Sequence, residues 1–312
     1  MFFGTSEFAV PSLRRIAQRF DTVRVITQPD RPRGRGQKVG PSPVAHVALE
    51  LGLELSRPET LKVPGLADEI AALKPDLFAV VAFGMILPKR WLEIPKRGAL
   101  NLHGSLLPEY RGAAPVQRAL WDGRSGTGVT TLFMDEGVDT GDCVMQRWEP
   151  VLPDDHSGVL GARLAELGAP LFVESLALAA EGTAPRRPQD RNEGSYAGKM
   201  KKEDGVIDWT LDAVTVWNRQ RAVTPWPGAH SAHRGRRLTI TASRPWQTMD
   251  TGMTPGTVLA EIGRGVVVAC GSGAVELMRV KPEGKSEMDA ADWMRGARVQ
   301  SGERMEKEEA AT

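Results

Sequence analysis

From Thr22 onward the first half of the chain alternates two kinds of apolar pattern, and few folds accept that alternation. Thr22-Val23-Arg24-Val25-Ile26-Thr27 and Asp76-Leu77-Phe78-Ala79-Val80-Val81-Ala82 are β-branched or continuously apolar, as strands buried on both faces are. Between them, Pro43 to Leu51 and Gly65 to Leu73 carry apolar residues at helical spacing. The pattern predicts βαβ units in a doubly wound, mostly parallel sheet of the α/β class. A helix from about Ser157 to Ala180 closes this first domain, residues 1–182. At its start, Met1-Phe2-Phe3 runs at once into Gly4-Thr5-Ser6, short of the roughly five residues of a usual strand. Either the first strand is short or the assigned start is too late.

The second half has a different grammar. Residues 183–202 are polar and broken by Pro185, Pro188 and Gly194, which reads as a basic linker. A helix over Leu211 to Ala222 follows. Short strands come next, around 237–241, 256–259, 265–270 and 274–280, separated by Gly and Pro turns. Cys270-Gly271-Ser272-Gly273 reads as a hairpin turn. This spacing predicts a second, smaller domain over 203–312, a small β-barrel. Its acidic end, from Glu303, is expected to fray.

Charge separates the halves. Residues 1–182 hold 20 basic and 22 acidic side chains, whereas 183–244 hold 12 and 6. A uniformly basic coat is excluded, and a local basic surface is not. Two cysteines without paired spacing argue against a disulfide framework and for a reducing, cytoplasmic setting. No apolar run nears the roughly 20 residues of a membrane helix, and a monomer is expected.

Chemistry concentrates in two segments. Asn101-Leu102-His103-Gly104-Ser105-Leu106-Leu107-Pro108 follows a strand-like run, and Asn101 and His103 share a face by the period of two. Strand ends are where open α/β sheets do chemistry. An amide can stabilise an oxyanion and an imidazole can move a proton. Met134-Asp135-Glu136-Gly137-Val138-Asp139-Thr140-Gly141-Asp142 offers Asp139 on a glycine-flanked loop that could return to His103. Asp139-Thr140-Gly141 is also an aspartic-protease triplet, but such enzymes need two in an all-β chain. Asp135, Asp139 and Asp142 lack calcium-loop spacing. Cys143, among apolar neighbours, reads as a buried thiol rather than a nucleophile. Phe3-Gly4-Thr5-Ser6 is not a dinucleotide fingerprint, so packing explains it as well as a ligand does.

These motifs, in this order, resemble the folate-dependent formyltransferases, and the resemblance runs from Phe2-Phe3-Gly4-Thr5 to Lys281-Pro282-Glu283-Gly284-Lys285. It implies a catalytic domain over 1–182 and an oligonucleotide-binding type of barrel over 203–312. It implies formyl transfer from 10-formyltetrahydrofolate to the α-amine of an initiator methionyl-tRNA, with no metal. Asn101 and protonated His103 would donate to the oxyanion, and Asp139 would orient His103. His103, with a water held by Asp139, would carry the amine's proton to the leaving nitrogen. Phe83, Gly84, Met85, Ile86 and Leu87 would line the folate slot with Ser105, Leu106, Leu107, Pro108, Asp135 and Asp142.

Asp30 to Lys38 reads as a solvated surface loop or as a phosphate contact. The resemblance favours the second, with Arg31, Arg33, Arg35 and Lys38 on tRNA, joined by Lys199, Lys201 and Lys202. Trp226 between prolines is expected in the core. Two alternatives stay open. One is a related enzyme that formylates an amino-sugar nucleotide or glycinamide ribonucleotide, or hydrolyses the formyl group. The other is a nucleic-acid-binding module with a silent α/β domain.

Overall fold

The computed structural model describes residues 1–22, 24–33, 38–247, 251–262 and 265–307. The chain divides into two compact units. One holds Met1–Pro115, Gly126–Pro150 and Gly161–Gly198; the other holds Val116–Ser125, Val151–Leu160 and Lys199–Thr312.

The first unit contains β1 (Phe2–Gly4), β2 (Val25–Ile26), β3 (Arg31–Arg33), β4 (Lys38–Gly40), β5 (Leu55–Ser56), β6 (Phe78–Val81), β7 (Ala99–His103), β8 (Arg111–Gly112), β9 (Gly126–Phe133), β10 (Cys143–Pro150) and β11 (Tyr196–Ala197). Seven strands make one sheet in the order β10-β9-β7-β6-β1-β2-β5. It is parallel from β7 to β5 and antiparallel at β9 and β10. The connecting helices are α1 (Val10–Arg19), α2 (Pro43–Glu50), α3 (Leu66–Ala72) and α4 (Lys89–Leu92). Two more, α5 (Pro115–Trp121) and α6 (Ser157–Glu181), have residues in both units.

Local chemistry accounts for these elements. Pro43 opens α2 and the Ser42 hydroxyl accepts the Ala45 N–H at 2.9 Å, a standard N-terminal cap. Every residue of β6 is buried, as a central parallel strand requires. Phe3, Phe78, Phe83 and Trp91 meet beneath it, with ring centroids 4.7 to 6.1 Å from Phe3. The first strand is short, three residues, and Gly4 ends it where a side chain would not fit. A Cβ there would lie 2.7 Å from the Phe2 ring and 3.1 Å from the Val81 carbonyl.

Two stretches differ from their composition. The basic segment after Asp30 contains an antiparallel ribbon, with Arg31 opposite Gly40 and Arg33 opposite Lys38; Arg35 lies outside the described residues. Much of 183–202 is hydrogen-bonded within the first unit. Arg187 and Cys143 exchange both backbone bonds, at 2.9 and 3.0 Å, and β11 pairs in parallel with β8. Free strand edges recruit such segments.

The second unit holds α7 (Ala213–Ala222), β12 (His230–His233), β13 (Arg236–Gln247), β14 (Val258–Ile262), β15 (Gly265–Ala269), β16 (Ala274–Pro282), β17 (Met288–Asp289) and α8 (Ala290–Gly296). The antiparallel order is β12-β13-β16-β15-β14, with β17 on β16, a half-barrel. The acidic end does not fray where it is described. Residues 303–306 span the two sheet edges, Arg304 bridging Thr257 and Glu306 bridging Ala232. Trp226 is 53% exposed on the turn after α7 rather than in the core. Its flanking prolines cannot donate to a ladder, and Trp209 and Trp293 are buried in its place. Among the described residues no helix is long and apolar enough to cross a membrane.

Glu303 fastens the closing segment. It accepts Arg234 Nε at 2.8 Å, His233 Nε2 at 2.9 Å and the Gln300 N–H at 3.0 Å. The guanidinium first, then the Gln300 amide and His233, hold its carboxyl down to about 2 from an ordinary 4.5. A depressed carboxylate stabilises the fold above its unfolded value and loses that contribution as pH falls through the folded one. Glu303→Gln should therefore melt below the parent at pH 7. The two melting curves should converge as pH drops from 4.5 toward 2, which paired thermal melts across that range would record.

Candidate active site

Strand β7 ends inside the first unit with Asn101 and His103 on one face, as the sequence pattern requires. The loop from Met134 to Asp142 brings Asp139 to both. Asn101 Nδ2 donates to Asp139 Oδ1 at 3.2 Å, and His103 Nδ1 stands 3.5 Å from Asp139 Oδ2. The Gly112 N–H donates to the same Oδ2 at 2.8 Å. His103 is 5% exposed. Its Nε2 lies 2.9 Å from the Tyr110 carbonyl. A carbonyl only accepts, so Nε2 carries a proton and Nδ1 is the ring atom left for chemistry. At 3.5 Å the Nδ1 contact is loose, and catalytic bonds are often long before substrate arrives.

The Asp139 loop is tightly built. Asp139 itself has a φ of 55°, in the left-handed region. Asp135 Oδ1 accepts the Gly137 N–H at 3.0 Å and the Thr140 hydroxyl at 2.7 Å, closing a turn. A Cβ on Gly141 would lie 1.9 Å from the Phe133 carbonyl oxygen. Gln189, from the stretch of linker composition, donates to the Asp139 and Gly141 carbonyls at 2.9 and 2.7 Å.

The residues expected on the folate divide. Phe83 and Leu87 point into the core with Phe3 and Trp91, Met85 packs half-buried against the same cluster, and Gly84 and Ile86 face outward. Ile86 is 81% exposed, and Gly84 has a φ of 79° with Gln28 close beneath it. Thr5 and Gln28 both donate to the Phe83 carbonyl, at 2.8 and 3.0 Å. Such a short, outward, apolar segment with fixed backbone fits one wall of a slot for a flat ring.

Ser105 is buried and donates to the Glu109 carbonyl at 2.6 Å. Leu107 is buried against Leu132 and Cys143, while Leu106 and Pro108 are half-buried. Asp135 and Asp142 are also engaged by Arg191 at 3.6 Å and Arg186 at 3.5 Å. Burial pushes the Cys143 thiol up, which suits a packing residue. Arg31 is exposed at the ribbon, with Arg33 and Lys38 on its paired strands. Lys199, Lys201 and Lys202 are exposed in the second unit.

Sequence reasoning missed the backbone groups at Tyr110 and Gly112 and the side chain of Gln189. The first two follow the Asn-x-His motif by a few residues and could have been suspected. Gln189 sits 50 residues beyond Asp139 and gives no local signal.

Comparison with known proteins gives the family. The Formyl transferase family matches residues 2–176, and its C-terminal domain matches 199–298. The chain belongs to the formyl transferase family. Along nearly its whole length it is similar to proteins named methionyl-tRNA formyltransferase. The relative from Geobacter sulfurreducens is 44% identical over 98% of this chain and 96% of its own. That from Symbiobacterium thermophilum is 44% identical over 99% and 96%. The fold is shared with a crystal structure of an N-formyltransferase from Helicobacter canadensis in complex with folinic acid and dTDP-3-aminofucose. That likeness has a TM-score of 0.67 at 21% identity, over 88% of this chain and 97% of the other.

The loop geometry gives a direct test. Gly141→Ala forces a methyl against a backbone oxygen that cannot move cheaply. Urea denaturation should show a loss of roughly 1–3 kcal/mol or more. An unchanged midpoint would mean that the Asp139 loop tolerates a different path.

Proposed function

We propose that this chain transfers the formyl group of 10-formyltetrahydrofolate to the α-amine of initiator methionyl-tRNA, in the cytoplasm. The single observation that carries this reading is Asp139 between Asn101 and His103, in a chain similar end to end to methionyl-tRNA formyltransferases. The amine attacks as its free base. Its nitrogen bonds to the formyl carbon and the carbonyl oxygen becomes an oxyanion.

Asn101 spends one amide hydrogen on Asp139 and keeps the other for that oxyanion. His103 Nδ1 takes the proton that the amine must lose. The Asp139 carboxylate beside it stabilises the imidazolium so formed. The same Nδ1–H then passes to the folate nitrogen as the carbon–nitrogen bond breaks. One proton leaves the amine and one reaches the leaving group, so the ring ends as it began. Residues 1–182 do this chemistry. Residues 203–312, with the lysines before them, hold the tRNA, and the chain works as a monomer.

Two measurements test the reading. His103→Ala, Asn101→Ala and Asp139→Ala should each lower kcat by about two to four orders of magnitude with the fold retained. The triple variant should be little slower than the slowest single, since the three act as one unit. Near-normal turnover in any of the three removes that residue from the site. Formyl transfer to an amino-sugar nucleotide but not to methionyl-tRNA would replace the substrate assignment.

The second measurement is the salt dependence of methionyl-tRNA use. Neutralising Arg33 and Arg35 together should weaken it and reduce the log–log slope by about 2, with folate binding unchanged. A slope identical to the parent's rejects those contacts.

A further inference from the structure

We propose that Gln189 is a positioning residue for the transfer reaction. It holds the backbone of the Asp139 loop and so aims the carboxylate that faces Asn101 and His103. The proposal rests on the role given to Asp139 above.

Gln189 uses its whole amide. Both N–H groups go to carbonyls two residues apart, Asp139 at 2.9 Å and Gly141 at 2.7 Å. Its oxygen accepts two N–H groups of Arg111, from Nε at 3.1 Å and Nη2 at 3.0 Å. A guanidinium only donates and a carbonyl only accepts, so the amide has one orientation. Arg111 is itself fastened to the Glu193 and Asp190 carbonyls, both at 3.0 Å.

The location adds the function. Arg111 lies between Tyr110, whose carbonyl accepts from His103 Nε2, and Gly112, whose N–H donates to the Asp139 carboxylate. Gln189 therefore ties the segment that orients the imidazole to the loop that carries the carboxylate. The loop needs such a tie. Asp139 sits at a φ of 55°, which costs a non-glycine residue energy and persists only under constraint. Residues 136–138 beside it are exposed, and Glu136 is held there by an exposed ion pair with Lys89 at 2.9 Å, weak restraint for a backbone. Without the two amide bonds the loop can relax, and the Nδ1-to-carboxylate distance with it. A shift near 1 Å in such a site costs about a hundredfold in rate.

The experiment uses the full chain. Gln189→Leu and Gln189→Glu are compared with the parent in steady-state transfer kinetics, thermal melts and calorimetric binding of a folate analogue. Glutamate keeps the size and the acceptor for Arg111 but has no N–H for the two carbonyls. Both variants should lose about 10- to 100-fold in kcat. KM for each substrate should stay within about threefold, and the melting temperature and analogue binding should be retained. Parent-like turnover in Gln189→Glu would overturn the proposal, because it would leave Gln189 serving Arg111 alone.

The same substitutions are then made on Asp139→Ala and followed over single turnovers. There Gln189→Leu should slow the reaction by less than about twofold, since its target is gone. A further tenfold loss on that background would also overturn it. A fully active Asp139→Ala chain would instead reject the reading of the site, and the clamp with it.

Discussion

The site is organised by one carboxylate. Asp139 takes the Gly112 N–H, takes the Asn101 amide and stands beside His103, and these partners reach it from two strands, β7 and β8. Strands β7 and β8 supply fixed donors, while Asp139 arrives on a loop. Sheet backbone is rigid and a loop is not, so the accuracy of the site is set by how the loop is held. The turn closed by Asp135, the absent side chain at Gly141 and the amide of Gln189 all act on that problem. None of them touches a reacting atom. They set the position of the group that would stabilise charge on His103.

The division of the chain into units follows hydrogen bonds more than sequence order. Segments 116–125 and 151–160 belong with the second unit, and Arg221 on α7 shows why. Its guanidinium stacks on Trp217 at 3.6 Å, donates to the Asn218 side chain at 2.6 Å and reaches the Leu152 carbonyl at 3.2 Å. Burial lowers its pKa to about 10, against the nearby charges of Asp155 and Asp154. Trp121 lies beneath Arg219 at 4.7 Å and Arg118 at 5.2 Å. Groups so desolvated demand partners, and the partners come from the first half of the sequence. A boundary drawn at residue 182 on composition alone cannot register such contacts.

What the sequence made legible has a common property: it is local. The alternation of β6 and its neighbouring helices, the shared face of Asn101 and His103 and the glycines around Asp139 are all encoded within a few residues. The acidic tail, Trp226 and Gln189 are the reverse. Residues 303–306 look soluble and loose, yet they meet two strand edges whose unpaired groups accept any chain in reach. Trp226 has the size of a core residue, but prolines on both sides place it on a turn. Gln189 lies among prolines and charges, and its value depends on carbonyls 50 positions away. Long-range pairing of this kind has no signature in composition or period.

The charge of the second half needs the same correction. A formal excess of 6 over residues 183–244 suggests a strongly basic surface, but much of it is spent internally. Arg186 stacks on Phe133 and pairs with Asp142. Arg191 faces Asp135, Arg234 grips Glu303 and Arg244 pairs with the buried Glu276. Arg219 and Arg221 stack on tryptophans. An arginine already paired releases few counterions when a phosphate approaches, because breaking its pair offsets the gain. Exposed Lys199, Lys201 and Lys202 carry no such cost. The salt dependence of nucleic-acid binding counts cations that are free to neutralise phosphates, not cations in the sequence. The formal excess over 183–244 therefore overstates the cations free to meet a phosphate, and Lys199, Lys201 and Lys202 are among the exposed ones outside these pairs.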